Sequence, residues 1–258
     1  MTRVQTLQDW LAEAPFRLVM SSGFFGFYAH AGVLCALEEA RLLPSSAAGA
    51  SAGALVTGAF CAGVSSRELR ERLTILERHE FWDPAWGPGL LRGQRVIDVL
   101  QSILPVETFA QCRIPVAMST FDVARRRTHV LDSGPLAPAI AASCAVPLMF
   151  QPVRHMGRAL YDGGILDRPG LAGVAHHERV FYHHLSSRWL GYTIPRRRDL
   201  VALEIASLPQ VDPMRMARGR RAMALAAEAT RHALRSPAAD VIRVDAMALG
   251  SHAAAAVA

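Results

Sequence analysis

The chain has 258 residues, 51% of them hydrophobic, with four cysteines and a formal net charge of +6. That length suits one sizeable α/β domain or two small ones, and the hydrophobic content excludes a disordered chain. No uninterrupted apolar run reaches the roughly 18 residues of a membrane-spanning helix. Residues 4–13 read as a short amphipathic helix around Leu7, Trp10 and Leu11. The stretch lacks the apolar centre of a secretory signal, so the cytoplasm is the expected compartment.

Residues 17–22 have the look of a buried first strand and 23–26 of a loop. Residues 27–40 carry helical apolar spacing at Ala29, Val33, Leu34 and Leu37, and Pro44 closes that unit. Small residues at 45–48 approach a turn at 49–53, after which 54–61 form a buried helix stopped by Gly63. Ser65 and Glu68 nearly make a capping box for a charged helix running to about residue 80. Residues 82–93, rich in proline and glycine, are a loop.

Further along, 114–120 and 127–131 alternate like two strands joined by a turn at 122–126. A small-residue helix is expected at 138–145 and a strand at 158–161, with later strands at 180–184 and 200–205. A long basic helix covers 214–234, and the tail from Gly250 is alanine-rich. Strands alternating with helices indicate an α/β class with a largely parallel sheet. The expectation is a single domain over 1–258, with its core at about 17–235 and both ends peripheral.

Cys35, Cys61, Cys112 and Cys144 are widely spaced with no paired motif, so neither a disulfide framework nor a zinc site is expected. Every cation is arginine. The clusters at 125–127, 196–198 and 218–221 are short and lack interleaved aromatics, which excludes a nucleic-acid site as the leading reading. Positive charge favours anionic surfaces such as phospholipid headgroups.

Three motifs carry chemistry. In Gly49-Ala50-Ser51-Ala52-Gly53, a serine flanked by small residues can sit on a strand-to-helix elbow. In Ser21-Ser22-Gly23-Phe24-Phe25-Gly26, a glycine-bearing loop opens a helix and can offer backbone N–H groups to an anion. A dinucleotide reading of this loop fails, because Ser21 replaces the first glycine and no acidic residue ends a second strand. The third motif, Asp162-Gly163-Gly164, places a carboxylate at a strand end beside two glycines; by itself it would equally make an ordinary turn.

In this order the motifs resemble the patatin-like phospholipase family over about residues 17–235. The segment Ala29-His30-Ala31-Gly32 and the run Ala141 to Pro147 before the Asp162 motif carry the likeness further. The resemblance implies a three-layer α/β/α sandwich around a mostly parallel central sheet, and a Ser51–Asp162 dyad without histidine. It implies an oxyanion hole from the amides of Gly23, Phe24 and Ala52, with Gly26, Gly49, Gly53, Gly163 and Gly164 as motif glycines. The expected substrate is a phospholipid or another fatty-acyl ester, met in peripheral contact with an anionic membrane, and no cofactor or metal is implied. The loop departs from the family pattern at Ser21 and Ser22, where glycines are usual, and at Phe25, where a cation is common. After Gly164, the usual Asn-Pro is reduced to Pro169.

Two other readings compete. One is an α/β-hydrolase triad in which His176, His177, His183, His184 or His232 follows Ser51 and Asp162 in the chain. The other is a non-catalytic lipid-binding module that uses the basic charge and the Phe24, Phe25, Phe27 and Tyr28 cluster.

Overall fold

The computed structural model describes residues 4–186 and 193–249. At its centre lies a nine-stranded sheet in the order β11-β10-β9-β1-β2-β4-β8-β7, with β5 paired to β4. The strands are β1 (Arg17–Met20), β2 (Ser46–Ala50), β4 (Val116–Asp122), β5 (Arg127–Leu131), β7 (Val153–His155), β8 (Arg158–Asp162), β9 (Val180–His184), β10 (Leu200–Ala206) and β11 (Val241–Asp245). A separate parallel ribbon joins β3 (Gly89–Leu91) to β6 (Leu148–Phe150). The helices are α1 (Leu7–Glu13), α2 (Phe27–Glu39), α3 (Ala52–Ala62), α4 (Ser66–Ile75), α5 (Gln94–Ile103), α6 (Leu136–Ser143) and α7 (Arg218–Arg235).

From β11 through β4 every central pairing is parallel, while β5, β8 and β7 run antiparallel at one end. The expected mixed α/β class with a mostly parallel sheet is therefore present. Alternation along the strands divides two cores. Leu18 and Met20 face the larger one, with buried residues from all seven helices, while Val19 faces the smaller one. Among the described residues, the smaller core is completed by Leu171, Val174 and Ile194 rather than by a helix. Burial on both faces, under helices on one side and under the smaller core on the other, makes the central strands nearly continuously apolar.

Helix α2 packs closest on α7, because Gly32 leaves no Cβ to collide with Met223 O. Ser65 and Glu68 complete a reciprocal capping box on α4, but the helix ends at Ile75 and resumes only as a short 3-10 turn at Arg78–Glu80. Helix α7 begins at Arg218, four residues later than its charge pattern suggests. Helix α5 and strands β2, β3, β6, β7 and β11 are additions to the sequence expectation. The tail from Gly250 lies outside the described residues. No helix among them is long and apolar enough to cross a membrane.

Candidate active site

Sheet register brings Ser51 and Asp162 together. Ala50 of β2 pairs with Ser119 of β4, and the next residue of β4, Thr120, pairs with Asp162 of β8. Ser51 and Asp162 thus leave the sheet at one level on either side of β4, about two strand spacings (roughly 10 Å) apart at the backbone.

Ser51 sits at φ 53° and ψ −120°, a conformation costly for any side-chain-bearing residue. Its glycine neighbours are required by contact. A Cβ on Gly53 would be driven into the carbonyl of Met20, and one on Gly49 into the backbone of Gly53. The strained amide is fastened from below: Ser51 N–H donates to Ser143 Oγ (2.9 Å), and Ser143 Oγ donates to Ser119 O (2.7 Å). Cys144 Sγ lies 3.2 Å from Ser51 O. One face of the elbow is therefore held by the end of α6.

Asp162 is 5% exposed. Its Oδ1 accepts the Gly164 N–H (2.7 Å), which fixes the carboxyl plane, while Oδ2 is buried without a hydrogen-bond partner. Burial pushes its pKa up to about 6; the neighbouring Ser51 hydroxyl, the Gly164 amide and the Arg168 charge pull the other way. The serine is close enough to influence the carboxyl, but no hydrogen bond of ordinary geometry joins them. Apo sites are commonly loose in this way. Gly163 and Gly164 are again spatial requirements, since Cβ atoms there would meet Ser119 O and Ser22 Oγ.

The loop after β1 is tied down on both sides. Ser21 Oγ accepts the Leu185 N–H (2.9 Å), and Ser22 N–H donates to Arg168 O (2.7 Å). The Ser21 hydroxyl, which a glycine would lack, therefore anchors the loop, whereas the Ser22 contact is made by its backbone. His30 Nε2 lies 2.8 Å from Ser21 O, which can only accept, so Nε2 carries a proton. His30 Nδ1 is then bare and accepts from His183 Nδ1 at 2.7 Å. Burial lowers the His30 pKa to about 4 and that of His183 well below its ordinary value, consistent with two neutral rings.

None of the five histidines considered for a triad hydrogen-bonds Ser51 or Asp162 among the described residues. His183 is spent on His30 and His184 on Tyr182 (3.0 Å), while His176, His177 and His232 are exposed. Among the described residues the amides of Gly23, Phe24 and Ala52 have no hydrogen-bond acceptor, and Ala52 opens α3, where N–H groups lack intrahelical partners.

Gly23, Phe24, Ser51 and Ala52 all border one cavity of about 150 Å³. Its deeper wall is apolar and comes from α4 and α5, notably Leu69, Leu73, Val99, Leu100 and Ile103. Phe25 and Phe27 of the aromatic cluster line it, whereas Tyr28 is buried in the core. Arg72 is the one cation there among the described residues, held by Glu80 at 2.6 Å. Sequence reasoning missed the α5 wall, although Val96, Val99, Leu100 and Ile103 have helical spacing. It also missed Ser143, whose only signal was its place in the run before Asp162.

Comparison with known proteins identifies the family and the fold. A family model described as patatin-like phospholipase matches residues 18–174. Proteins of Mycobacterium bovis and Mycobacterium tuberculosis, named as uncharacterized NTE family proteins, are 33% identical over 161 residues. That stretch is 61% of this chain and 45% of each relative, so the chain matches less than half of their length. The crystal structure of VipD from Legionella pneumophila covers 93% of this chain and 74% of its own, with a TM-score of 0.66 and 14% identity. At that identity the likeness concerns the fold alone.

Proposed function

The chain belongs to the patatin-like phospholipase family, and from that premise we propose that it is a serine lipid acyl hydrolase acting through a Ser51–Asp162 dyad. The observation that carries this reading is the free Oδ2 of a buried, oriented Asp162 beside Ser51, at the edge of an apolar cavity.

Ser51 Oγ attacks the ester carbonyl and passes its proton to Asp162 Oδ2, while Gly164 holds Oδ1 in place. Negative charge on the carbonyl oxygen is met by the amides of Gly23, Phe24 and Ala52. Removing one such donor typically costs about 10²–10³ in rate. The protonated carboxyl then gives its proton to the departing alcohol. Asp162 next takes a proton from water as it attacks the acyl-enzyme, and returns that proton to Ser51 Oγ as the Ser51–acyl bond breaks and the fatty acid leaves. The fatty chain lies against the α4–α5 wall, and the substrates are carboxylic esters of phospholipids or other fatty-acyl lipids. We also assign residues 1–258 to one domain with its core at about 17–235, because β1 and β9 pair at the middle of the sheet; β11 at Val241–Asp245 extends that sheet past the expected core.

The test combines stoichiometric labelling by a fluorophosphonate with hydrolysis of a p-nitrophenyl ester and a phospholipid panel. Ser51→Ala should abolish labelling, and Ser51→Ala and Asp162→Asn should each abolish turnover, while His183→Gln retains it if folded. Full turnover in Asp162→Asn, or no labelling of the wild type, would overturn the reading.

A further inference from the structure

We propose that the β3–β6 ribbon, with the Trp86 turn, docks this protein on an anionic lipid surface and aligns the Ser51 cavity with the acyl chains there. The proposal rests on the lipid-hydrolase reading and names the face that meets the substrate's surface.

Large apolar side chains are held out into water on this ribbon. Trp86 is fully exposed, Leu148 is 85% exposed, and Leu90 is 56% exposed. Leu148 is the register partner of Gly89, and Gln151, three residues on, holds the Trp86 turn, so Trp86 and Leu148 sit on neighbouring parts of one ribbon, while Leu90 alternates to its other face. Leu148 also has φ +69°, an uncommon conformation for a bulky residue. An exposed leucine and a left-handed backbone are each unfavourable, and here they coincide at one position. A surrounding that takes up the side chain would account for its exposure.

The patch is rigidly presented. Trp86 O accepts from Gln151 Nε2 (3.0 Å), Ala85 N–H donates to Leu90 O (3.1 Å), and Gln151 N–H donates to Leu91 O (2.8 Å). Arg92 N–H donates to Asp83 O (3.0 Å) and closes the base of the turn. Trp86 is therefore carried on a fixed frame, and indole is the side chain best suited to a boundary between water and hydrocarbon.

The same strand continues into the site. Met149 and Phe150, directly after Leu148, wall the Ser51 cavity, facing Phe24 and Phe25 of the loop after β1. Phe24 is itself 58% exposed, which extends the apolar rim to the oxyanion loop. A chain leaving a lipid layer at this ribbon would enter the cavity without crossing water.

Charge selects an anionic layer. Net charge is +6, and Arg92 and Arg78 are exposed on the segments flanking the patch, with no ion pair among the described residues. Of the acids nearest in sequence, Glu80 pairs with Arg72, Glu77 faces His79, and Asp83 is turned inward onto the Gly93 and Arg95 amides.

The experiment uses Ser51→Ala protein, so that binding is read without hydrolysis, and vesicles of phosphatidylcholine with or without phosphatidylglycerol. Trp86→Ser with Leu148→Ser should weaken co-sedimentation with the anionic vesicles at least about tenfold, since such binding scales with buried apolar area. Brominated acyl chains should quench the Ser51→Ala protein strongly and its Trp86→Phe derivative much less. With Ser51 present, the double variant should cleave a short soluble ester at the wild-type rate and vesicle phospholipid poorly. Unchanged vesicle binding by the double variant would overturn the proposal. So would a wild-type dimer in solution that the two substitutions split, because a second copy would then cover the patch.

Discussion

Asp162 is built for proton transfer at a cost to stability. Its carboxyl is shifted from 3.8 to about 6, chiefly by burial. A carboxyl raised in the folded state binds more protons folded than unfolded between those values. Its contribution is therefore most favourable below about pH 4 and is lost as pH rises through about 6. Two units correspond to about 3 kcal/mol at pH 8. Asp162→Asn keeps an acceptor for the Gly164 N–H and removes the buried charge. It should raise the melting temperature by several degrees at pH 8 and by little at pH 4, while abolishing turnover. Equal shifts at the two pH values would refute the account. For the wild type, kcat/KM should rise with pH through about 6 as Asp162 ionises. Ser143 makes a complementary case, since it steadies an amide in a strained conformation. Ser143→Ala should cost about 1–2 kcal/mol of stability, as buried amides left unpaired do. It should also lower kcat more than it raises KM, and Ser143→Thr should recover part of kcat. Ser51 and Asp162 were legible because small neighbours and strand-end glycines are written locally. Ser143 was not, because its function depends on a contact 92 residues away.

At the scale of elements, the site is a junction of four pieces that end at one edge of the sheet. The loop after β1, the elbow after β2, the end of α6 and the turn after β8 each contribute one chemical group. The cavity behind them belongs to α4 and α5. The loop after β1, the elbow and the Asp162 turn were readable because each carries glycine or small residues at a strand end. Helix α5 went unread because it follows a loop rich in turn-forming residues, although Val96, Val99, Leu100 and Ile103 recur at intervals of three and four. Strands β3 and β6 have three residues each, too few for alternation to register. Val99 is half-buried and faces the cavity from α5. Val99→Phe should shorten the cavity and leave Ser51 undisturbed. The expected result is reduced kcat/KM on long p-nitrophenyl acyl esters, with butyrate hydrolysis nearly unchanged. A uniform loss across chain lengths would mean that α5 supports the elbow rather than the acyl chain.

Across the whole molecule, β1 has its two parallel neighbours on opposite sides, β2 and β9, whose chain positions are far apart. Crevices at the carboxyl ends of strands around such a reversal are where open α/β sheets place ligands. Alternation and strand order of this kind followed from the sequence only as a class, because register and crossover are settled by long-range pairing. The same pairing creates a pH liability spread over the fold. His30 and His183 meet between α2 and β9, His184 lies beside them, and His129 and His155 lie near the antiparallel edge. Burial is the largest cause lowering the pKa of all five. A histidine depressed in the folded state binds fewer protons there than in the unfolded chain. Its contribution is thus fully present above about pH 6.5 and is lost as pH falls toward its folded value, about 4 for His30. Asp162 acts in the opposite sense between 3.8 and about 6, but it is one group against five. The melting temperature should therefore fall steadily between pH 7.5 and pH 5. Asp162→Asn, which lacks the opposing carboxyl, should show a steeper fall over that interval than the wild type. A flat profile in both proteins would show that these histidines accept protons inside the fold as readily as outside it.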